Sequence, residues 1–532
     1  MLEKNSLAPE NSITADPATA GRFFRTVPWR SLAVALLFVA ILLDALATTT
    51  ADPDLWGYLA FGRLFWEGHR FPYKDVFSYV PTLDPWVYHE WLTGVLFYPI
   101  YTTLGGQGLQ ALKYLLGLAT AALLYLTARR RGAHPVAAGL VLVLLQAFLV
   151  IGYSPVRAQV FTYFFFALTL YLLERARHTG QWTLLLALVP VQILWCNLHG
   201  GFLSGLGLVA LYAAGEALSR RPFVPYLAIL ALSGLATLMN PYGVDYWTYL
   251  AKAVSMPRPD ITEWRSFLEA FTSGVLSPVE ILYLGTAVLF AVFLGAWSRW
   301  RERTALVVLC FTLYLAFSHI RHQVFFLMLL AAYLPALFTG FCKEVVSRPR
   351  WMALYRRCSA GVWAPLVVSL AALNGYQFVS REPFSLKIPG KPPADVANAF
   401  YYPVGAIDHI ETHGLSGRLL TTFGWGEYAL WRLYPGCKVA FDGRYETVYP
   451  EEVSRLYFRF LRGTPRSMDF LERYPPDLVL VEARSGLVGF FESDPQWEQV
   501  YADEGSVLFA HEHNGRDRAV AQKDSIQTEE GG

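Results

Sequence analysis

Charge is scarce in this chain. Asp, Glu, Lys and Arg make up 16% of its 532 residues, against about 25% in an ordinary globular protein. A soluble fold of this length would need more charge to cover its surface. The two signs nearly cancel, leaving a net charge of +2. A nucleic-acid binder shows a strongly basic face instead, so nucleic acid is not an expected partner. Cysteine is sparse too: five in the chain do not make a disulfide scaffold. There is no Walker A sequence, no G-x-S-x-G elbow and no H-E-x-x-H helix, which argues against direct use of ATP, serine hydrolase chemistry and a zinc-protease helix. What the chain does have is apolar, 54% hydrophobic and 15% aromatic. That content excludes disorder and leaves a mainly α, polytopic membrane protein.

A transmembrane helix needs about 20 mostly apolar residues. Eleven stretches qualify, with loose edges: 31–48, 108–128, 135–152, 158–173, 182–196, 201–218, 223–239, 277–297, 304–318, 323–341 and 361–377. The stretch 91–104 is shorter and carries tyrosines, threonines and a proline, so it reads as a helix lying on the outer surface. Charge supports this. Lys and Arg gather in cytoplasmic loops, and with 91–104 not crossing, every strongly basic loop falls on one side: Arg22/Arg25/Arg30, Arg129–Arg130–Arg131, Arg175/Arg177, Arg220–Arg221, Arg299/Arg301/Arg303, and Lys343 with Arg348, Arg350, Arg356 and Arg357. The expected organisation follows. Residues 1–21 are a disordered cytoplasmic tail and 22–377 a transmembrane domain whose first outer loop is 49–107. Residues 378–397 are a Pro-rich linker, 398–512 a small extracytoplasmic α/β domain, and 513–532 a disordered tail. Cleavage after Ala45-Leu46-Ala47, as in a signal peptide, is a competing reading of the first span, but the apolar run continues to full span length.

The polar residues that remain share the outer side. They are Asp52 and Asp54 after the first span, His89 and Glu90 at the surface helix, and Arg157 before the fourth span. His199 lies in WCNLHGG, Glu263 and Trp264 in ITEWRSF, and Arg321 and His322 in SHIRH. Each has a plain reading. Asp52 and Asp54 suit helix N-caps, His89–Glu90 an exposed helix start, His199 a turn, and Arg157, Arg321 and His322 interfacial anchors. Ionisable groups at membrane level are costly and line cavities or pathways. Several segments carrying them to one face predict a shared outward cavity.

These residues carry a resemblance. An Asp-x-Asp just after the first span, a long first loop with surface helices, many spans and an extracytoplasmic C-terminal domain resemble the GT-C superfamily of integral-membrane glycosyltransferases. The chain looks most like a bacterial group of GT-C-like proteins, through DPDLWGYLAFGR, DPWVYHEWL, LWCNLHGGF, MNPYG, ITEWRSF, HIRHQVFF, WGEYALWRL and FDGRYE. The resemblance implies a multi-pass protein of the bacterial inner membrane. It would move a sugar from a polyprenyl-phosphate carrier to a glycan, lipid or protein acceptor on the extracytoplasmic face. Asp54, or Asp52, would correspond to the superfamily's catalytic acidic residue in the first loop. His89–Glu90 would stand where other members place a donor-phosphate element, although Trp91 follows here in place of lysine or proline.

Such a transfer needs a base, for which Asp54 is preferred to Asp52. It also needs cationic help for the leaving phosphate, for which Arg157, Arg321 or His322 are candidates. Glu263 and Trp264 lie in the loop expected to cover the substrate, and His199 in a turn beside it. Asp52, Asp54 and Glu90 are also a candidate set for a hard divalent cation, Mg²⁺ or Mn²⁺. A flippase for lipid-linked sugars and a non-catalytic relative are the rival functions. A transporter would place ionisable groups near mid-membrane in paired repeats, and no inverted repeat is evident. In the C-terminal domain, strands are expected at 418–423, 438–444, 477–482 and 506–512, with helices near 403–413, 450–461 and 464–473. Asp442-Gly443-Arg444 reads as a tight turn or a binding loop.

Overall fold

The computed structural model describes residues 28–153, 155–256, 258, 261–346, 360–392, 400–463 and 468–512. The expected tails, residues 393–397 of the expected linker, and Arg22, Arg25, Arg348, Arg350, Arg356 and Arg357 lie outside the described residues.

All eleven apolar stretches carry helix. In chain order the helices are α1 (Pro28–Ala45), α2 (Leu55–Gly68), α3 (Trp91–Arg130), α4 (Pro135–Tyr153), α5 (Gln159–Thr179), α6 (Leu188–Leu198, entered through a 3₁₀ turn at Trp182–Ala187), α7 (Phe202–Leu218), α8 (Val224–Ala236), α9 (Val244–Ser255), α10 (Phe267–Thr272), α11 (Pro278–Trp297), α12 (Arg303–Ser318), α13 (Gln323–Val346) and α14 (Ala360–Ser380). Among the described residues three helices are long and apolar enough to cross a membrane, Trp91–Arg130, Glu280–Trp297 and Ile320–Val345, and six further apolar stretches of helix run 10–17 residues. In hydrocarbon a backbone must satisfy its own hydrogen bonds, which a helix does.

The α3 helix is two elements in sequence. Gly105 has φ 62 and ψ −160 inside it, a conformation glycine takes without a Cβ penalty. The segment 91–104 therefore turns away from the apolar segment that follows. The α2 helix packs on the 91–104 segment by direct backbone approach. A methyl group on Gly94 would stand 2.5 Å from the Tyr58 carbonyl, and one on Gly62 would overlap the Gly94 carbonyl.

A charged clasp closes the far end of the bundle from α2. Arg131 pairs with Glu174 at 2.8 Å and Arg177 with Glu216 at 2.7 Å, while Glu302 joins both arginines. Tyr212 donates to Glu174 at 2.5 Å and Thr304 to Glu216 at 2.6 Å. These side chains tie α5, α7 and the start of α12 to the end of α3. Buried charges persist only when paired and hydrogen-bonded in this way.

The C-terminal part carries α15 (Val404–Thr412), β1 (Gly417–Thr421), α16 (Gly426–Leu433), β2 (Cys437–Val439), α17 (Tyr445–Val448), α18 (Glu451–Leu461), α19 (Asp469–Arg473), β3 (Leu478–Glu482), α20 (Leu487–Ser493), β4 (Trp497–Ala502) and β5 (Ser506–His511). The sheet order is β2-β1-β3-β5-β4. The first three strands are parallel, with Leu419 opposite both Val439 and Leu478, and β5 runs antiparallel between β3 and β4. Two expectations need correction. The strand beginning near 438 ends at Val439, so Asp442-Gly443-Arg444 sits in the turn beyond it. The expected strands do not include β4, whose apolar run is broken by Glu498 and Gln499 and whose six residues are all at least partly exposed, as an edge strand allows.

The first loop is stitched to this sheet. Val439 N–H donates to Phe77 at 2.9 Å and Tyr79 N–H to Val439 at 3.2 Å, extending the β2 edge by one bridge at Ser78. The 383–392 segment docks beside it, with Lys387 N–H on Thr49 at 2.7 Å. Trp56 is fully buried, edge-on to Tyr402 and Tyr428. These contacts hold the turn after β2 against the start of α2.

Candidate active site

The Asp52-Pro53-Asp54 segment leads into α2. Asp54 occupies its N-cap position, yet its side chain makes no capping hydrogen bond. Asp52 takes the local role, accepting the Asp54 N–H at 3.1 Å. Asp54's carboxylate is thereby left to face outward. It meets Arg157, which approaches from the turn before α5. The guanidinium spreads over three carboxylates: Nη2 to Asp54 at 2.5 Å, Nη1 to Glu263 at 2.8 Å, and Nε to Asp52 at 3.2 Å. Burial pushes Asp52 up to about 7, against the pull of Arg157 and with the Asp54 charge adding to the rise. Glu263 is held below its ordinary value, chiefly by Arg157.

Glu90 likewise stands at a helix N-cap position without capping it. Its Oε1 lies 3.4 Å from His199 Nε2. The Gly201 N–H donates to His199 Nδ1 at 2.9 Å, so the ring proton sits on Nε2 and points at Glu90. Thr162 lies 2.7 Å from the same Nδ1 and accepts from Trp195 at 2.8 Å. Burial raises Glu90 to about 8, with Asp54 adding to the rise. His89 stacks on Tyr249, and burial, then the charges of Arg258 and Arg321, depress it to about 3. His199 is depressed by burial first and His89 next. Both histidines are neutral at physiological pH, so arginines supply the positive charge here.

Trp264 is a plate between two guanidinium groups. Arg258 lies 4.3 Å from its ring centre and Arg321 4.6 Å. Arg258 is tied to Glu446 at 2.9 Å and to the Ala253 carbonyl. Arg321 forms no ion pair among the described residues.

Nine of the ten residues singled out from sequence line one cavity of about 370 Å³: Asp52, Asp54, His89, Glu90, Arg157, His199, Glu263, Trp264 and Arg321. His322 lines instead an apolar groove between α5, α7, α12 and α13, with Phe166, Leu211, Phe311 and Phe325, its ring edge-on to Trp264 of the cavity.

The cavity's other wall comes from the C-terminal part, which sequence reasoning did not assign to the site. Glu427, at the start of α16, is buried and accepts the Gly57 N–H at 2.9 Å. Burial, then the charges of Asp54 and Asp442, hold its carboxyl well above the ordinary range. A Cβ at Gly443 would stand 2.7 Å from Glu427 Oε1 and 3.4 Å from Asp54 Oδ1, so only glycine lets this turn approach both carboxylates. Arg444 is locked beneath, with Asp442 at 2.7 Å and Asp75 at 2.5 Å. Its loop is therefore both a structural turn and a wall of the cavity. The motifs WGEYALWRL and FDGRYE carried the signal for this wall. Arg258 had none of its own.

The carboxylates do not fit a divalent cation. Asp52 and Asp54 converge on Arg157, while Glu90 turns to His199. Among the described residues no three His, Cys, Asp or Glu side chains form a metal-binding group. A dication at the two aspartates would have to displace a guanidinium.

No known family profile and no curated protein matches the chain. Solved structures do. One is the oligosaccharyltransferase of Archaeoglobus fulgidus, tethered to an acceptor peptide containing the NVT sequon, with 12% identity and TM-score 0.51 over 92% of this chain and 74% of that one. Another is ArnT from Cupriavidus metallidurans bound to undecaprenyl phosphate, with 15% identity and TM-score 0.48 over 91% and 98%. The same oligosaccharyltransferase with zinc and sulfate aligns at TM-score 0.49. The chain shares its fold with the Archaeoglobus fulgidus oligosaccharyltransferase.

Proposed function

We propose that this chain is a membrane glycosyltransferase that moves a sugar from a polyprenyl-phosphate donor to an acceptor on the extracytoplasmic face, with Asp54 as the base. The observation that carries the reading is the pairing within one cavity of an uncapped Asp54 carboxylate with an arginine, Arg321, that has no ion-pair partner among the described residues. The acceptor's nucleophilic atom gives its proton to Asp54 as it bonds to the sugar's anomeric carbon. The bond from that carbon to the phosphate oxygen breaks, and Arg321 pairs with the departing phosphate. The apolar groove at His322 gives the prenyl chain a place beside the cavity. The basic loops support the sidedness: with them inside, the cavity opens on the outer face of an inner membrane and the N-terminus lies inside.

The test is a transfer assay in membranes. A panel of polyprenyl-phosphate sugars is offered with glycan, lipid and peptide acceptors. The expected result is transfer from at least one donor, lost in Asp54→Asn. Normal transfer by both Asp54→Asn and Asp52→Asn would remove the assigned base. Translocation of a donor without turnover would replace the enzyme with a flippase.

A further inference from the structure

Hard divalent cations take carboxylate oxygens, and with Arg157 in place the three carboxylates around it are not gathered into a metal-binding group. Here Asp52 and Asp54 arrive from the first loop and Glu263 from a turn more than two hundred residues later, and the centre they share is the guanidinium of Arg157. Each carboxylate lies against a different nitrogen, at 3.2, 2.5 and 2.8 Å; Asp54 and Glu263 are hydrogen-bonded, and Asp52 meets Nε by charge alone. That division uses the planar fork of arginine, which an ammonium group does not reproduce.

We propose that Arg157 is a built-in cation: it occupies the position a divalent metal would take among Asp52, Asp54 and Glu263, and the site therefore binds neither Mg²⁺ nor Mn²⁺. Arg157 is then a positioning residue. It fixes the direction of the Asp54 carboxylate and draws Glu263, with the neighbouring Trp264, over the cavity. The raised Asp52 is consistent with this, since one guanidinium charge does not balance three carboxylates. For its consequence, transfer that needs no metal, the inference rests on the glycosyltransferase reading. For the binding itself it does not.

The experiment uses the full chain purified in detergent and Mn²⁺ alone, followed by electron paramagnetic resonance. Wild type should leave the Mn²⁺ signal that of the free ion. Arg157→Met, which removes the charge and keeps the bulk, should bind Mn²⁺ stoichiometrically, and adding Asp54→Asn should abolish that binding. Mn²⁺ bound by wild type and released by Asp54→Asn would overturn the proposal. So would a folded Arg157→Met that binds none. If Arg157→Met does not fold, Arg157→Lys is the second variant. Its smaller, non-planar cation should admit Mn²⁺ weakly, and complete exclusion of Mn²⁺ by it would show that any local positive charge suffices and overturn the specific role of the fork. Absence of transfer with every donor would count against the glycosyltransferase reading and leave these spectra unaffected.

Discussion

Glu427 Oε2 accepts the backbone N–H of Gly57 at 2.9 Å, joining residues 370 positions apart in the chain. A methyl group at Gly57 would overlap that carboxylate. Gly57→Ala should therefore loosen the C-terminal part from α2, at about the 1–3 kcal/mol typical of overpacking. Thermal unfolding and limited proteolysis of the purified chain check this. An unchanged Tm together with unchanged digestion would show that the contact is dispensable.

The same carboxyl makes stability depend on pH. Its folded-state value is raised, so the folded chain holds the proton more tightly than the unfolded chain. Its contribution is fully present below the ordinary value of 4.5 and is lost as pH climbs through the raised one. Glu427→Gln keeps an acceptor for Gly57 without the ionisation. Its Tm should fall less than that of wild type between about pH 5 and about pH 8. Parallel Tm curves for the two proteins would contradict the assignment.

Asp52 and Asp54 should separate kinetically. Asp52 is pushed to about 7 by burial, and its carboxylate form completes the set around Arg157. kcat/KM should rise as pH passes through that value, and Asp52→Asn should flatten the rise while turnover remains measurable. Asp54→Asn should lower kcat by about 10²- to 10⁴-fold at every pH, the usual contribution of a positioned base. A pH–rate profile for each variant reads both effects.

Arg321 stacks on Trp264 and forms no ion pair among the described residues, so Arg321→Gln should leave the fold intact. A hydrogen bond to a charged group contributes about 1.5–3 kcal/mol, which corresponds to a KM for the lipid donor raised by about 10- to 100-fold. Arg321→Lys should recover only part of the loss, because the planar fork is gone. Equal KM values in all three proteins would assign the phosphate elsewhere.

Asp75→Asn tests the wall. It removes one partner of buried Arg444, and breaking a buried pair costs about 3–5 kcal/mol. The expected signature is a lowered Tm with transfer lost in parallel. Full stability would show that Asp442 alone holds Arg444.

The helices of the apolar part were legible in the sequence, because apolar length reports on the surrounding medium directly. The shared cavity was legible too, since Asp54, Arg157 and Arg321 are polar where apolarity is the rule. Their pairings were not. Nothing local shows that Asp54 leaves its N-cap position uncapped, or that Glu90 turns to His199 and not toward the aspartates. The basic residues were also read as one class, although Arg131 and Arg177 are buried in a clasp while Arg299 and Arg301 are exposed. Glu427 escaped because its meaning depends on a contact with Gly57 that no sequence period encodes.

The bridge at Ser78 and Val439 has a consequence for biogenesis. The first loop finds its sheet partner only after the ribosome has passed residue 439, by which point α1 to α14 have already been made. Until then Asp54 and Arg321 face a half-built cavity open on the side that Glu427 and Gly443 later close. A nascent or truncated chain ending before α16 is therefore expected to be inert, which would delay sugar transfer until the polypeptide is nearly finished.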